Sequence, residues 1–490
     1  MVTSETVIVL ALIVPAAGAV LIAAAHRAPN LREAVTLATA AILFALVGSL
    51  TPELLAGARP QARLAEVMPG IELAFEVEPL GMLFALVASG LWIVTSLYSI
   101  GYMRGNEEAH QTRYYVCFAL ALASTIGIAF AANLFTLFLF YEALTLITYP
   151  LVTHHGTEEA RRAGRLYIGM LIGTSIVFLL VAIIWTWAIA GTIEFELGGI
   201  LRANASNATI GVLLALYVFG IGKAAVMPVH RWLPAAMVAP VPVSALLHAV
   251  AVVKAGVFAV LKVVVYVFGV ETIAGMTSVE WLPFVAGFTI IAASIVALRS
   301  DNLKRRLAYS TVSQLSYVVL AAALLTPLSI IGAALHIVTH ALGKITLFFA
   351  AGAIYTAAHK TEVSQLAGIG RRMPWTMAAF TVGSLSLIGV PPAAGFVSKW
   401  FIISGAWQAG NHLALAVLIA STLLNAAYFL PIVHAAFFRK AEDETQATHG
   451  EAPLPIVLAL IATAGATLAL FFVVDVPLEL ARQLVEPARS

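Results

Sequence analysis

Hydrophobic residues in this chain come in long unbroken runs, not in the alternation of a half-buried sheet. Counting runs near the bilayer-spanning length of about 20 residues gives about fourteen helical segments. They cover approximately 5–25, 33–50, 80–102, 114–131, 133–153, 164–190, 208–231, 242–268, 283–299, 306–325, 328–357, 374–405, 412–437 and 452–475. This pattern predicts an all-α polytopic membrane protein. Two segments carry interruptions: Gly220, Gly222 and Pro228 in the seventh, Gly389, Pro391 and Pro392 in the twelfth. The eighth opens after Ala239-Pro240-Val241-Pro242, where proline can begin a helix but not continue one.

Composition sharpens the class. The chain is 61% hydrophobic and 11% charged, against about a quarter charged in soluble domains. A net charge of +2 gives no reason to invoke nucleic acid. Cys117 is the single cysteine, which excludes an internal disulfide and any cysteine-built iron–sulfur or zinc centre; it reads as a packing thiol. No nucleotide-binding loop is present. Glu5 stands where a cleavable signal would carry basic residues, and Val7 to Ala25 is long enough to span. Cations alternate between connections. Arg27 and Arg32, Arg104 and Arg113, Arg161, Arg162 and Arg165, Arg299 and Lys304 to Arg306, Lys360, Arg371 and Arg372, and Arg439 and Lys440 fall in the odd ones. The even connections are poor in cations, and Glu72, Glu76, Glu78, Glu194 and Glu196 lie among them. The positive-inside rule then puts the odd loops in the cytoplasm and both termini on the other side. The polar stretches Thr51–Glu78 and Arg439–Pro453 are too short to fold independently, and Leu478–Val485 reads as a short amphipathic surface helix.

Against this apolar background, ionisable residues at membrane depth stand out, because such groups are costly unless they face protein or water. Glu142 lies mid-segment in LFTLFLFYEALTLITYPLV with no cation within helical reach, so its expected partner is on another helix, with Lys223 the best candidate. Lys223 and His230 are two turns apart and would share a face if their helix were unbroken; His230 reads equally as an interfacial histidine beside Arg231 and Trp232. Lys254 lies deep in SALLHAVAVVKAGVFAVLK. His248, about 120° round the helix from it, packs or relays from another wall, and Lys262 nearer the outer end snorkels or functions. His336, His340 and Lys344 are spaced by four along one face. Without an accompanying carboxylate or cysteine they read as a hydrated relay rather than a metal site. Ser310, Ser313 and Gln314 hold water there or simply pack. Lys399 follows the Pro391-Pro392 break and reads as a terminal proton donor or acceptor. No cofactor or metal is expected, and no set of oxygen ligands forms an obvious sodium cage.

Gly220, Ala224, Ala225 and Trp232 echo Gly389, Ala393, Ala394 and Trp400. Corresponding interruptions five segments apart point to inverted repeats. With GKAAVMPVHRWLPAAMVAPVPVSALLHAVAVVKAG, HALGKITLFFAAGAI, GVPPAAGFVSKW and Glu142 in view, the chain resembles the antiporter-like subunits shared by Mrp-type cation/proton antiporters, respiratory complex I and membrane-bound hydrogenases. The resemblance runs nearly the whole length and looks most like the D-type Mrp subunit. It implies fourteen helices with two inverted five-helix repeats, placed at 106–268 and 269–440 between 1–105 and 441–490. It also implies a regulatory Glu142–Lys223 pair and a hydrated axis of Lys254, His340, Lys344 and Lys399. The expectation is a proton-translocating subunit of a Na+(K+)/H+ antiporter in the bacterial inner membrane. Other subunits and lipid are the expected partners, and this chain itself is not an enzyme. The alternative is a pumping subunit of a redox complex. The end of the chain soon after segment fourteen, and a lysine at 399 where one complex I branch has glutamate, favour the antiporter.

Overall fold

The computed structural model describes residues 3–201, 205–440 and 450–485; the expectations for 441–449 and 486–490 lie outside them. Helices α1 (Ser4–Ala24) and α2 (Pro29–Ser49) come first. A short antiparallel hairpin follows, β1 (Gln61–Met68) and β2 (Ile71–Glu76), with Gln61 opposite Glu76 and Met68 opposite Ile71. Next come α3 (Pro79–Gly105), α4 (Gln111–Ala129), α5 (Leu134–Val152) and α6 (Glu158–Ala190). Helix α7 (Asn207–Gly220) ends early, and α8 (Val241–Phe268), α9 (Trp281–Arg299), α10 (Leu303–Ala323) and α11 (Pro327–Ala358) follow. The chain continues with α12 (Pro374–Ile388), α13 (Gly395–Gln408), α14 (His412–Phe438), α15 (Leu454–Phe472) and the short α16 (Asp475–Arg482).

Among the described residues, 11 helices are long and apolar enough to cross a membrane, with α7 and α12 as shorter apolar helices. The protein is thus an all-α polytopic membrane protein whose only described sheet is the hairpin outside the bundle. The hairpin is an addition to what the sequence suggested for Thr51–Glu78. It is anchored rather than independent: the Glu76 amide donates to Phe130 O at 2.7 Å and the Ala132 amide to Ala74 O at 3.0 Å.

Helix ends follow local chemistry. Asn133 caps α5 by accepting from the Thr136 amide at 2.8 Å, and Thr326 and Ser329 form a capping box at the start of α11. The packing is that of a membrane protein with a polar interior. Helix α8 is buried along its whole length and α11 nearly so. Helix α11 is the hub, in contact with α3, α10, α12, α13 and α15. The outer helices turn Val20, Leu21, Ile42, Ile184 and Leu423 outward, where lipid is the natural solvent. Interior hydroxyls are satisfied by the preceding turn, as in Ser89 to Ala85 O (2.6 Å) and Thr148 to Leu144 O (2.6 Å).

Both interruptions occur where the glycines and prolines placed them. After Gly220 one tight turn, Gly222–Ala224, carries Lys223, Ala225 adopts φ +55°, and helix resumes only at Trp232. Helix α12 stops at Ile388 and α13 starts at Gly395. Gly256 of α8 fits the first break: a Cβ there would lie 2.2 Å from the Ala224 nitrogen and 2.2 Å from the Lys223 carbonyl carbon.

Candidate functional site

Lys254, on the buried α8, donates from Nζ to Nδ1 of His340 on α11. Nδ1 therefore accepts, and the neutral His340 ring carries its proton on Nε2. His336, one turn earlier, stacks on His340 at 5.9 Å between ring centroids. Its Nε2 faces Gln314 Oε1 at 3.1 Å and its Nδ1 faces Ser398 Oγ at 2.9 Å. Gln314 Nε2 reaches the Leu387 carbonyl at 3.5 Å, and Lys399 donates to that same carbonyl at 2.7 Å and to Ile388 O at 3.0 Å. These carbonyls belong to the last turn of α12, which has no following turn to occupy them. Gly389, at φ +90°, is needed there twice: for its backbone, and because a Cβ would meet Lys399 Cδ at 2.7 Å. The Lys399 ammonium also lies 4.8 Å from the Tyr317 ring centre. Lys344 branches from the row, donating to Ser310 Oγ at 2.5 Å and Leu307 O at 3.3 Å.

The expected row is therefore contiguous in space, joined by contacts that no spacing rule revealed. Gln314 is a structural link between His336 and the α12 terminus, and Ser398 holds both His336 and Thr339 (2.8 Å). Ser398 was missed, although its place beside Lys399 was a usable signal. The row holds several cations and no carboxylate, so proton occupancy at one member bears on the next through like-charge repulsion.

One expectation needs correction. Glu142 and Lys223 are not paired. The Lys223 ammonium donates to Tyr141 O (2.8 Å) and Thr145 Oγ1 (2.6 Å) and lies 3.2 Å from the Tyr141 ring centre. Both Glu142 carboxylate oxygens are buried without a hydrogen-bond partner. The two groups remain within Coulombic reach. The break after Gly220 lets the turn deliver Lys223 to the backbone and hydroxyl side of α5 instead. Nor do Lys223 and His230 share a helical face, since the chain between them is not helix; His230 lies half-buried near Tyr309, 6.2 Å between rings. His248 stands on another wall, packed 4.8 Å from Phe348, with both ring nitrogens unpartnered.

Lys262 does not snorkel. It is fully buried, paired with Glu78 at 3.3 Å and bonded to Ala131 O at 2.8 Å. Glu78 also accepts from Tyr266 Oη (2.6 Å) and caps α3 through the Leu80 and Gly81 amides, both at 2.7 Å. This pair joins the start of α3 to the last turns of α8. The reach of Glu78 across the fold left no mark in the sequence.

At the cation-rich face, Glu108 lies 3.3 Å from His155 and 3.8 Å from His154. The hydrogen bond that His155 donates to Glu108 holds its imidazole above its ordinary value, whereas burial pushes His154 down to about 4. The His155 pair is therefore at full strength below the ordinary histidine value near 6.5 and is lost as pH rises through the raised one. Glu108→Gln is expected to move the acylation of His155 by diethyl pyrocarbonate, which needs the neutral ring, to lower pH. Mass spectrometry across a pH series reads it; an unchanged midpoint contradicts the assignment.

Among the described residues no group of three or more His, Cys, Asp or Glu side chains could hold a metal ion. A bundle of spanning helices, two of them interrupted beside buried lysines, with a row of titratable side chains between, defines the class as a polytopic ion-transport membrane subunit. The family model described as "NADH:quinone oxidoreductase/Mrp antiporter, TM" matches residues 131–425. A second, "NADH-Ubiquinone oxidoreductase (complex I), chain 5 N-terminus", matches 69–115. NADH-quinone oxidoreductase subunit N of Desulforudis audaxviator is 35% identical over 377 residues, 76% of this chain and 73% of that one. Hydrogenase-4 component B of Escherichia coli is 30% identical over 391 residues, 76% of this chain and 56% of its own. The A/B component of a probable K(+)/H(+) antiporter of Rhizobium meliloti is 30% identical over 413 residues, 82% of this chain and 40% of its own. Several of these relatives are thus matched over only about half of their length. In fold, the chain is similar to one in the Mrp complex from Dietzia sp. DQ12-45-1b (TM-score 0.87, 23% identity, covering 100% of this chain and 98% of that one). It is equally similar to one in the membrane-bound sulfane sulfur reductase, an archaeal respiratory membrane complex (TM-score 0.86, 24% identity, 98% of both). The chain belongs to the antiporter-like membrane subunit family shared by Mrp antiporters, NADH:quinone oxidoreductase and membrane-bound hydrogenases.

Proposed function

We propose that this chain is a proton-translocating D-type subunit of a multisubunit Na+(K+)/H+ antiporter, held by neighbouring subunits in a bacterial inner membrane. The reading takes the fold as fourteen crossings with both termini outside. Residues 106–268 and 269–440 form the two inverted five-helix units, each containing one interruption. The observation that carries it is the run of contacts from Lys254 through His340, His336, Gln314 and the Leu387 carbonyl to Lys399. Protons pass along it with water bridging the stacked histidines, Lys344 and Ser310 form a side branch, and Lys399 hands them on through the open end of α12. The unpaired Glu142 and Lys223 are the open state of a switch whose closure shifts Lys223 away from Tyr141 and Thr145. The likeness to an Mrp complex and the identity to a K(+)/H(+) antiporter component support this choice of assembly.

A second reading, a pumping subunit of a redox complex, is favoured by the 35% identity to an NADH-quinone oxidoreductase subunit. Affinity purification of the tagged chain separates them: other Mrp-like membrane subunits are expected, and flavin or iron–sulfur subunits would establish the redox reading. The transport role is tested by Lys399→Met in everted vesicles, where cation-driven proton movement is expected to fall at least about tenfold, equivalent to about 1.4 kcal/mol on the barrier. Exchange at the wild-type rate with normal abundance of the complex would remove Lys399 from the path.

A further inference from the structure

Residues 232–240 carry the chain from the first break to α8, and they hold themselves together poorly. They form one helical turn, Trp232–Ala235, and one tighter turn, Ala236–Val238. Pro234 and Pro240 have no amide hydrogen to donate. The segment is instead held from outside through consecutive carbonyls. His155 Nδ1 lies 3.2 Å from Val238 O, and Lys304 donates to Ala239 O at 2.5 Å. The start of the segment is tied to the turn that carries Lys223, because the Trp232 indole donates to Gly222 O at 3.0 Å.

The His155 contact depends on a proton. Nε2 faces Glu108 Oε1 at 3.4 Å while Nδ1 faces the Val238 carbonyl. A carboxylate and a carbonyl both accept, so filling both contacts takes two N–H donors, which only the imidazolium has. A neutral ring donates to one and lets the other go. The side chain is 38% exposed, so it titrates with the bulk at the cation-rich face. Its charged surroundings are mixed. Lys304 and Lys360 line the cavity on one side, and Glu159, Arg231 and Arg305 line the groove on the other. His154 is buried beside it, and Arg113 donates to His154 O at 2.9 Å. Glu108, from the loop between α3 and α4, is the carboxylate in contact with the ring, and it favours the charged form.

We infer that His155 is a pH-operated clamp: its imidazolium ties residues 232–240 to the Glu108 loop, and loss of the proton frees this link and with it the Lys223 turn. The clamp is complete below the ordinary histidine value near 6.5 and is lost as pH rises through the raised one. Movement of Lys223 away from Tyr141 and Thr145 carries Gly222 and therefore Trp232 with it, so a clamped link restrains that movement. In its effect on transport the inference rests on the proton-translocating reading above; the clamp itself is tested without transport.

Met237 lines both the cavity and the groove and is half-buried. Met237→Cys is made in a Cys117→Ser background, with and without His155→Ala. Alkylation by N-ethylmaleimide is timed across a pH series in everted vesicles holding the complete complex. Dividing the rate with His155 by the rate with His155→Ala at each pH removes the thiol's own titration. The quotient is expected to sit at least about threefold below one at low pH, a size set by a partly exposed charge-assisted hydrogen bond, and to rise to one at high pH. Glu108→Gln is expected to move that rise to lower pH, which a purely structural role for His155 would not do. A quotient that does not vary with pH overturns the clamp. Initial exchange rates, divided in the same way, are expected to follow the same curve; a step in labelling with none in exchange overturns the regulatory role. Wild-type exchange in Lys399→Met would instead overturn the proton-translocating reading and leave the labelling result standing.

Discussion

Lys254→Met is expected to reduce proton-coupled exchange to background, a loss of at least about a hundredfold or about 2.7 kcal/mol on the transport barrier. Methionine keeps most of the lysine stem, so the apolar packing of α8 survives while the ammonium is removed. What changes is chemistry: Lys254 is the group that reaches His340 Nδ1, and methionine can neither hold nor donate a proton. His340 is left with a second unpartnered nitrogen, since Nε2 already lacks one. That orphan costs about 1–3 kcal/mol, small beside the many contacts of two buried central helices. Abundance in membranes is therefore expected near normal and transport absent. Initial rates from a pH-sensitive dye in everted vesicles, normalised to immunoblot signal, read both. Exchange above a tenth of wild type in this variant would remove Lys254 from the path.

Gly256→Val is expected to act in the opposite way, through structure. The position is helical and wholly buried, and its Cβ would lie 2.2 Å from the Ala224 nitrogen, 2.2 Å from the Lys223 carbonyl carbon and 2.6 Å from the Lys223 oxygen. These are backbone atoms, so no rotamer change relieves the contact. Overpacking typically costs about 1–3 kcal/mol where side chains can yield; here the turn carrying Lys223 must move bodily. Membrane abundance is expected to drop several-fold, and the surviving protein should transport poorly because Lys223 is displaced from Thr145 and Tyr141. Gly173→Val is the control, since a Cβ there has nothing within 4 Å. Equal abundance of the two variants would show that the turn is not held against α8 as described.

The helices and the depth of the lysines were legible because both depend on local composition. A run of apolar residues is helical in a bilayer, where every backbone group must be satisfied within its own segment. The breaks were legible for the same reason, since proline and glycine at 220–242 and 389–392 act on their own backbone. The hairpin was less visible. Ile71, Leu73 and Phe75 do alternate with Glu72, Ala74 and Glu76, but the strands stand by docking on Phe130 and Ala132, which no local rule supplies. Lys262 illustrates the same limit: its place in the segment left snorkelling and a functional role both open, and only the placement of Glu78 decided against snorkelling.

The membrane class, the order of spanning helices, the two interruptions and the cast of buried titratable residues were determined by sequence alone, because each reflects the cost of placing that residue type in hydrocarbon. Tertiary structure decided who meets whom: Lys254 with His340, His336 with Gln314 and Ser398, Lys399 with the end of α12, and Lys223 with Tyr141 and Thr145 instead of Glu142. The reason is physical. Burial cost is a property of one residue in one medium, whereas a hydrogen bond depends on the positions of two, and those are set by how helices distant in the chain pack together.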